Sequence, residues 1–434
     1  MKNNKNIIPW SVQHNVNLKN VTKTEGCYFW INKQKYLDFC SQLVNMNLGF
    51  QHPKVINAII NQTKKLSFVG PKFNLEVRKK LAEKIVSLYP YNMKKVFFSD
   101  SGARANEIAC MIAKQYTKKQ KILARETTSY HGATYYSASF SGDARRKMIS
   151  ANNKNSIFFK DPIIFSCPVS KTYPGCKILE PKKLETILKK NSSIAAVIFE
   201  PMTGSAGRIV PPKGYYEGIR KICNKHNVLL IYDEVMTGFG RTGKWFAASH
   251  WSAKPDIVTL AKGLTGGLMP LGATLVSKKI AKFYDKNYFP TGLTNYAHPI
   301  SCAAALEAIK VYKKEKIINN AYNMGKIIEK FLKKIKLKYK CIGDYRGSGL
   351  FYAIEFVKNN KKQRLINWNY LNFFKEQKDI KNLLNFLWKQ KIFCYSRYNM
   401  LYICPALIIT KKELTNALKI IEEGISKIIE KKYF

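Results

Sequence analysis

The chain has 434 residues, with 74 Lys plus Arg against 28 Asp plus Glu, a formal net charge of +46 at pH 7. Its 46% hydrophobic and 13% aromatic content excludes a disordered chain, its length allows two or three lobes, and no apolar run reaches the ~18 residues that a membrane span needs. The positive excess is spread from Lys2 to Lys432 without a polybasic tail or nucleic-acid motif, so a diffuse field and no specific nucleic-acid partner are expected.

The N-terminal hexapeptide from Met1 to Asn6 is basic but leads into no apolar signal core, which makes a cytoplasmic protein the expectation. Residues 1 to about 60 read as an arm with short strands at 27–31 and 35–39, joined by the polar turn Asn32-Lys33-Gln34. Helical segments then alternate with strands at 95–99, 121–124, 194–199, 228–232, 256–261 and 272–276. Such alternation argues for an open, mainly parallel α/β sheet. From about residue 300 the character changes to a smaller α+β lobe, with a helix at 299–316, strands at 347–355 and 391–403, and a closing amphipathic helix at 411–431. The expected division is 1–60 as arm and part of a small domain, 61–300 as large domain, and 301–434 as the rest of the small domain. The ten cysteines never form a Cys-x-x-Cys pair, so reduced, partly buried thiols are expected rather than a zinc knuckle or disulfide framework. Cys167 and Cys176 flank a Pro-rich loop.

Two neighbouring strands carry the chemistry. The apolar run 228–232 ends in Asp233-Glu234-Val235, and the run 256–261 ends in Lys262-Gly263, followed by Leu264-Thr265-Gly266-Gly267. Open α/β sheets gather ligands at the carboxyl ends of their strands, so an acid and a lysine placed there can face one crevice. Pyridoxal phosphate needs a lysine amine to hold its aldehyde covalently and a carboxylate on its pyridine nitrogen to make the ring an electron sink. Lys262 and Asp233 fit those roles. An aspartate after a strand also serves as a cap or turn residue, and Glu234 also fits a solvated charge.

Further candidates lie at other strand exits. Ser99-Asp100-Ser101-Gly102-Ala103 ends one strand and opens a helical pattern, where backbone N–H groups and the helix dipole favour a phosphate, or where Ser101 is a plain N-cap. Tyr130-His131-Gly132 follows another strand; its aromatic ring suits stacking on a pyridine or packing in a core. Val235 suits the opposite ring face or the core. Glu200-Pro201 ends the strand at 194–199, and an acid abutting a buried strand calls for a partner.

These motifs together resemble a class III aminotransferase of pyridoxal phosphate fold type I, over nearly the whole chain. They are Ser101-Gly102-Ala103, Tyr130-His131-Gly132-Ala133, Phe199-Glu200-Pro201, the run from Asp233 to Gly243, Ala261-Lys262-Gly263, Gly292-Leu293-Thr294 and His298-Pro299. The run from Asp233 to Gly243, with Lys262 standing 29 positions beyond Asp233, is the most specific of them. The resemblance implies Lys262 as the lysine that holds the cofactor, Asp233 at the ring nitrogen, Tyr130 stacked on the ring, and Gly102 with Ala103 at the phosphate. It also implies that Thr294 reaches the phosphate bound by the other subunit, so that a homodimer, or a dimer of dimers, is the working unit. The segments Asp161-Pro162 to Cys167-Pro168, Tyr173-Pro174-Gly175-Cys176 and Tyr395-Ser396-Arg397-Tyr398-Asn399 resemble the taurine:pyruvate and β-alanine:pyruvate branch, where the arginine matching Arg397 takes the substrate carboxylate.

Arg104 departs from the family's glutamate after the phosphate turn, Thr291 from a histidine, and Asn295-Tyr296-Ala297 from Tyr-Ser-Gly. The expected activity is amino-group transfer from an amine or ω-amino acid to a keto acid such as pyruvate, in a pocket shaped by Leu43-Val44-Asn45 and by the other subunit. An 8-amino-7-oxononanoate or acylornithine role, an isomerase or racemase on the same scaffold, and a non-enzymatic polyanion binder stand as alternatives.

Overall fold

The computed structural model describes residues 5–126, 129–159, 181–359, 363–366 and 377–434. The segments 161–168 and 173–176, with Cys167 and Cys176, therefore lie outside the described residues.

Period-two and fully apolar runs place the strands. Near the N-terminus, β1 (Val21–Glu25), β2 (Tyr28–Ile31) and β3 (Gln34–Asp38) form an antiparallel meander. Asn32 and Lys33 turn β2 into β3, both with positive φ, the geometry that a two-residue hairpin requires. The central sheet comprises β4 (Met93–Ser99), β5 (Lys121–Arg125), β6 (Ser156–Phe159), β7 (Ile194–Phe199), β8 (Leu229–Asp233), β9 (Ile257–Leu260) and β10 (Gly272–Ser277). Their order is β4-β10-β9-β8-β7-β5-β6, and only β10 runs against its neighbours. Every residue of β7, β8 and β9 is buried, as expected of parallel strands covered on both faces. The sheet is thus mainly parallel α/β, as the sequence indicates; β6 within it and β1 in the N-terminal meander are strands not foreseen.

The C-terminal third corrects several expected boundaries. The strand placed at 347–355 is a hairpin, β11 (Ile342–Ser348) and β12 (Phe351–Lys358), turned at Gly349 with φ +60°. A short β13 (Gln363–Arg364) pairs with the end of β12. The run 391–403 breaks into β14 (Ile392–Phe393), β15 (Tyr395–Arg397) and β16 (Met400–Ile403). Those three serve two sheets, because β14 pairs in parallel with β3 while β15 and β16 join β12. The helix Pro299–Lys314 stops two residues earlier than expected, and a second helix, Ile317–Lys338, follows Lys316, which sits in the left-handed region. The last helix is regular over Lys411–Gly424 and widens to a π-turn over Ile425–Glu430. Its start carries a reciprocal capping box between Thr410 and Glu413.

One buried arginine ties these parts together. Arg241 donates from Nη1 to the carbonyls of Leu350 (3.0 Å) and Pro405 (2.6 Å), and from Nη2 to Ser41 Oγ (3.0 Å) and Asn47 Oδ1 (2.7 Å). Burial lowers its pKa to about 10. The eight described cysteines are buried and unpaired, and among the described residues no helix is long and apolar enough to cross a membrane.

Candidate active site

The carboxyl ends of β4, β5, β7, β8 and β9 open on one cavity of about 1140 Å³. That edge brings together Ser101, Gly102 and Ala103 after β4, Tyr130 and His131 after β5, Glu200 after β7, Asp233 and Val235 after β8, and Lys262 after β9. Val44 and Arg397 line it as well. Thr294 is exposed and does not line this cavity.

Asp233 is the last residue of β8 and is buried. Its Oδ2 accepts from Asn106 Nδ2 at 2.7 Å and faces His131 Nδ1 at 2.8 Å, while Oδ1 accepts from the Val235 amide at 3.0 Å. A carboxylate only accepts, so His131 carries its proton on Nδ1. Asn106 is itself fixed, since its Oδ1 accepts from Thr259 Oγ1 at 2.6 Å and its Nδ2 also donates to the His131 carbonyl at 2.8 Å. His131, which also lines the cavity, therefore orients Asp233.

Lys262 opens a short 3₁₀ turn, Lys262–Thr265, at φ +47°, a left-handed conformation that costs a side-chain-bearing residue energy. Its Nζ donates to the Leu43 carbonyl at 2.6 Å. Burial, and then the positive charge of Arg208, depress its pKa to about 8, against the pull of Asp233. An amine so placed is available in the neutral, nucleophilic form near neutrality.

The turn after β4 is the start of the helix Gly102–Thr117, where Ser101 Oγ accepts from the Arg104 amide at 3.3 Å. Gly102 lies flat against Val235: a Cβ there would stand 2.7 Å from Val235 Cγ1, so a larger residue would displace Val235 from the cavity. Arg104 itself pairs with Glu107 at 2.7 Å.

Both strand-end glutamates are structural in their contacts. Glu200 accepts from the amides of Tyr130 (3.0 Å) and Gly204 (2.7 Å). Its pKa is raised to about 7 by burial and by the neighbouring Asp233 charge. Glu234 is fully buried rather than solvated; it accepts from Thr237 Oγ1 and from the amides of Ala247 and Ala248 at 2.7 to 2.8 Å. Burial raises its pKa to about 7.

Tyr130 carries the Arg145 guanidinium over its ring at 4.0 Å. Arg145 grips Asp143 through Nε (2.7 Å) and Nη2 (2.9 Å), and Asp143 Oδ2 also accepts from Arg397 Nη1 at 3.0 Å. Arg397 is thus turned into the protein and held by a carboxylate. Asn106, Asp143, Arg145 and Arg208 were not among the sequence candidates. Asn106 had a usable signal, a polar residue one helical turn beyond Gly102 on the face that packs on the sheet; the other three are placed by turns whose geometry composition does not announce.

The class-III aminotransferase family model matches residues 10–425. A taurine–pyruvate aminotransferase of Bilophila wadsworthia is 33% identical over 422 residues, covering 92% of this chain and 90% of its own length. A leucine/methionine racemase of Thermococcus litoralis is 32% identical, covering 94% of this chain and 90% of its own length. Among solved structures, a taurine:2-oxoglutarate aminotransferase from Bifidobacterium kashiwanohense, in complex with PLP and glutamate, superposes with a TM-score of 0.93 at 31% identity, covering 99% of this chain and 96% of that one. The chain belongs to the class III aminotransferases of fold type I, in a group that includes the taurine enzymes. It is a pyridoxal phosphate-dependent aminotransferase.

Proposed function

We propose that the enzyme moves an amino group from an amine or ω-amino acid to a 2-oxo acid such as pyruvate in two half-reactions on one cavity. The observation that carries this reading is the Asp233 carboxylate, fixed by three donors at the same sheet edge as the depressed amine of Lys262. Pyridoxal phosphate, when bound, supplies an electron sink for negative charge developing at the substrate carbon. Lys262 would hold its aldehyde, and its Nζ, when free, would serve as the base and acid that moves the proton at the substrate carbon. Asp233 keeps the ring nitrogen protonated by its opposite charge. Ser101, Gly102 and Ala103 would take the phosphate at the helix N-terminus, and Val235 and Tyr130 would hold the ring. Val44 shapes the donor side of the pocket, and Arg397 takes the substrate carboxylate.

The working unit is a homodimer in which Thr294, exposed here, completes the phosphate site of the partner, and the setting is the cytoplasm. The likeness to a racemase gives the test its second arm. Purified enzyme loaded with cofactor is mixed with taurine, β-alanine or a simple amine and no acceptor, and the cofactor spectrum is followed. Conversion of the cofactor to its amine form, with release of one carbonyl product per site, supports transamination; inversion of an amino acid without that conversion overturns it.

A further inference from the structure

Three cysteines line the cavity without a part in the chemistry above: Cys40 two residues past β3, Cys394 between β14 and β15, and Cys404 immediately after β16. The sheets bring them together, because β14 pairs with β3 and the Cys404 amide donates to the Phe39 carbonyl at 3.1 Å. On the other side of Cys40, Ser41 Oγ donates to the Cys404 carbonyl at 2.7 Å. Cys404 Sγ itself lies 3.8 Å from the Cys40 carbonyl oxygen. Chains hydrogen-bonded in this way run about 5 Å apart, inside the roughly 4.4 to 6.8 Å that separates the Cα atoms of a disulfide.

The surroundings of the two sulfurs differ. Cys404 Sγ accepts from Arg208 Nη2 at 3.7 Å. Arg208 is 2% exposed, its Nε has no partner, and among the described residues no carboxylate pairs with it. Its guanidinium otherwise meets the Gly204 carbonyl and the rings of Phe351 (3.8 Å) and Tyr402 (4.4 Å). A buried cation without a counter-charge is costly, so negative charge on the sulfur it touches is stabilised, and the thiolate is the form that reacts. Cys40 is the contrary case. Its thiol donates to Asp38 Oδ1 at 3.4 Å, and burial and then the Asp38 charge hold it well above the usual thiol range, so it keeps its proton. A reactive sulfur poised beside a second thiol is the arrangement of a redox-sensing pair.

We propose that Cys404 is a peroxide-sensitive modification site, resolved by Cys40, whose oxidation switches the enzyme off. The cavity that both residues line gives a molecule as small as hydrogen peroxide its way in. The Cys404 thiolate attacks one oxygen of the peroxide, hydroxide leaves with the other, and the sulfur becomes a sulfenic acid. The Cys40 sulfur then attacks the Cys404 sulfur, water departs with the Cys40 proton, and the two sulfurs are joined. Two electrons have passed from the thiols to the peroxide.

The consequence reaches Lys262 along the chain. Cys40 leads into Ser41, Gln42 and Val44, at φ +45°, +45° and +57°, and the carbonyl of Leu43 in that segment receives the Lys262 amine at 2.6 Å. Strain of this kind persists only while the surroundings over-determine it, and a new bond at the first residue of the segment changes those surroundings. The crosslink itself is independent of the activity read from the cavity; its effect on turnover rests on Lys262 as the lysine that holds the cofactor.

The test starts from reduced, cofactor-loaded enzyme exposed to a small excess of hydrogen peroxide, with cysteine peptides mapped by mass spectrometry before and after dithiothreitol. A crosslink between Cys40 and Cys404 should appear as amino-transfer activity falls, and both changes should reverse with the reductant. In Cys40→Ser the sulfenic acid should persist and be trapped at Cys404 by dimedone. Arg208→Leu should slow alkylation of Cys404 by iodoacetamide at least about tenfold, and Arg208→Lys should recover part of that rate. Oxidation of Cys40 or Cys394 with Cys404 left intact, a crosslink from Cys404 to Cys394 in place of Cys40, loss of activity without a crosslink, or an unchanged alkylation rate in Arg208→Leu would overturn the proposal. Should the enzyme transfer no amino group, the peptide map of the wild type would still decide the site.

Discussion

His131 Nδ1 stands 2.8 Å from Asp233 Oδ2, and neither side chain has appreciable contact with solvent. With Asn106 on the same oxygen, the carboxylate is held in one orientation before any ligand arrives, so reaction spends nothing on reorganising it.

Asp233→Asn keeps the shape but removes the charge. The variant should still bind pyridoxal phosphate through the helix N-terminus, while kcat falls by roughly three orders of magnitude or more, because an unprotonated ring is a poor sink. Cofactor content by absorbance together with single-turnover rates checks this; a near-normal rate would remove Asp233 from its role.

The depressed pKa of Lys262 makes a pH prediction with a definite sign. An amine with a pKa of about 8 is mostly neutral above that pH, so uptake of cofactor by the apoenzyme should accelerate as pH rises through about 8 and then level off. An ordinary lysine would continue to gain up to its usual 10.5. Arg208→Leu removes one depressing charge and should move the inflection upward. Lys262→Ala should abolish both turnover and covalent retention of the cofactor after borohydride reduction.

Glu234 governs stability rather than chemistry. Glu234→Ala strips the amides of Ala247 and Ala248 of their acceptor and should cost about 2 to 4 kcal/mol, the penalty for unsatisfied buried donors, read as a lower urea midpoint. Its folded pKa of about 7 lies above the ordinary 4.5. The folded state therefore holds the proton longer, and this group's contribution is full below about pH 4.5 and declines as pH climbs to about 7. A urea series across that range should show a shallower decline in the variant.

Arg397→Ala should weaken 2-oxo acid use by roughly 2 to 5 kcal/mol, far more than it weakens the half-reaction with an amine lacking a carboxylate. Asp143 keeps its three hydrogen bonds from Arg145 in that variant, so the pocket wall stays in place. Equal loss in both half-reactions, measured by stopped flow, would put the carboxylate site elsewhere.

Strand-exit chemistry was legible because it is local: β8 and β9 each announce themselves by an apolar run, and the residue that follows must stand at the sheet edge. Asp233, Lys262, Glu200 and the turn at Gly102 were all found in that way. Arg208 and Asp143 were not, since their positions depend on turns closed by distant partners such as Tyr402 and Arg397. The same cause hid the division of 391–403 between two sheets, because a run of alternating residues does not state which neighbour it will pair with. Glu234 shows the limit in reverse, for its sequence neighbours gave no hint that two amides of a later 3₁₀ turn would close over it.

The parallel pairing of β14 with β3, at Ile392 opposite Leu37, sets a timetable for synthesis. β3, paired with β2 as soon as the meander forms, waits for its other partner, encoded more than three hundred codons later, and Arg241 cannot complete its contacts until Pro405 has emerged. The wall that carries Val44, and the carbonyl of Leu43 that receives the Lys262 amine, are therefore set only when translation is nearly finished. A nascent chain arrested before that point would present the helix and strand ends of the cofactor site without the wall that closes it.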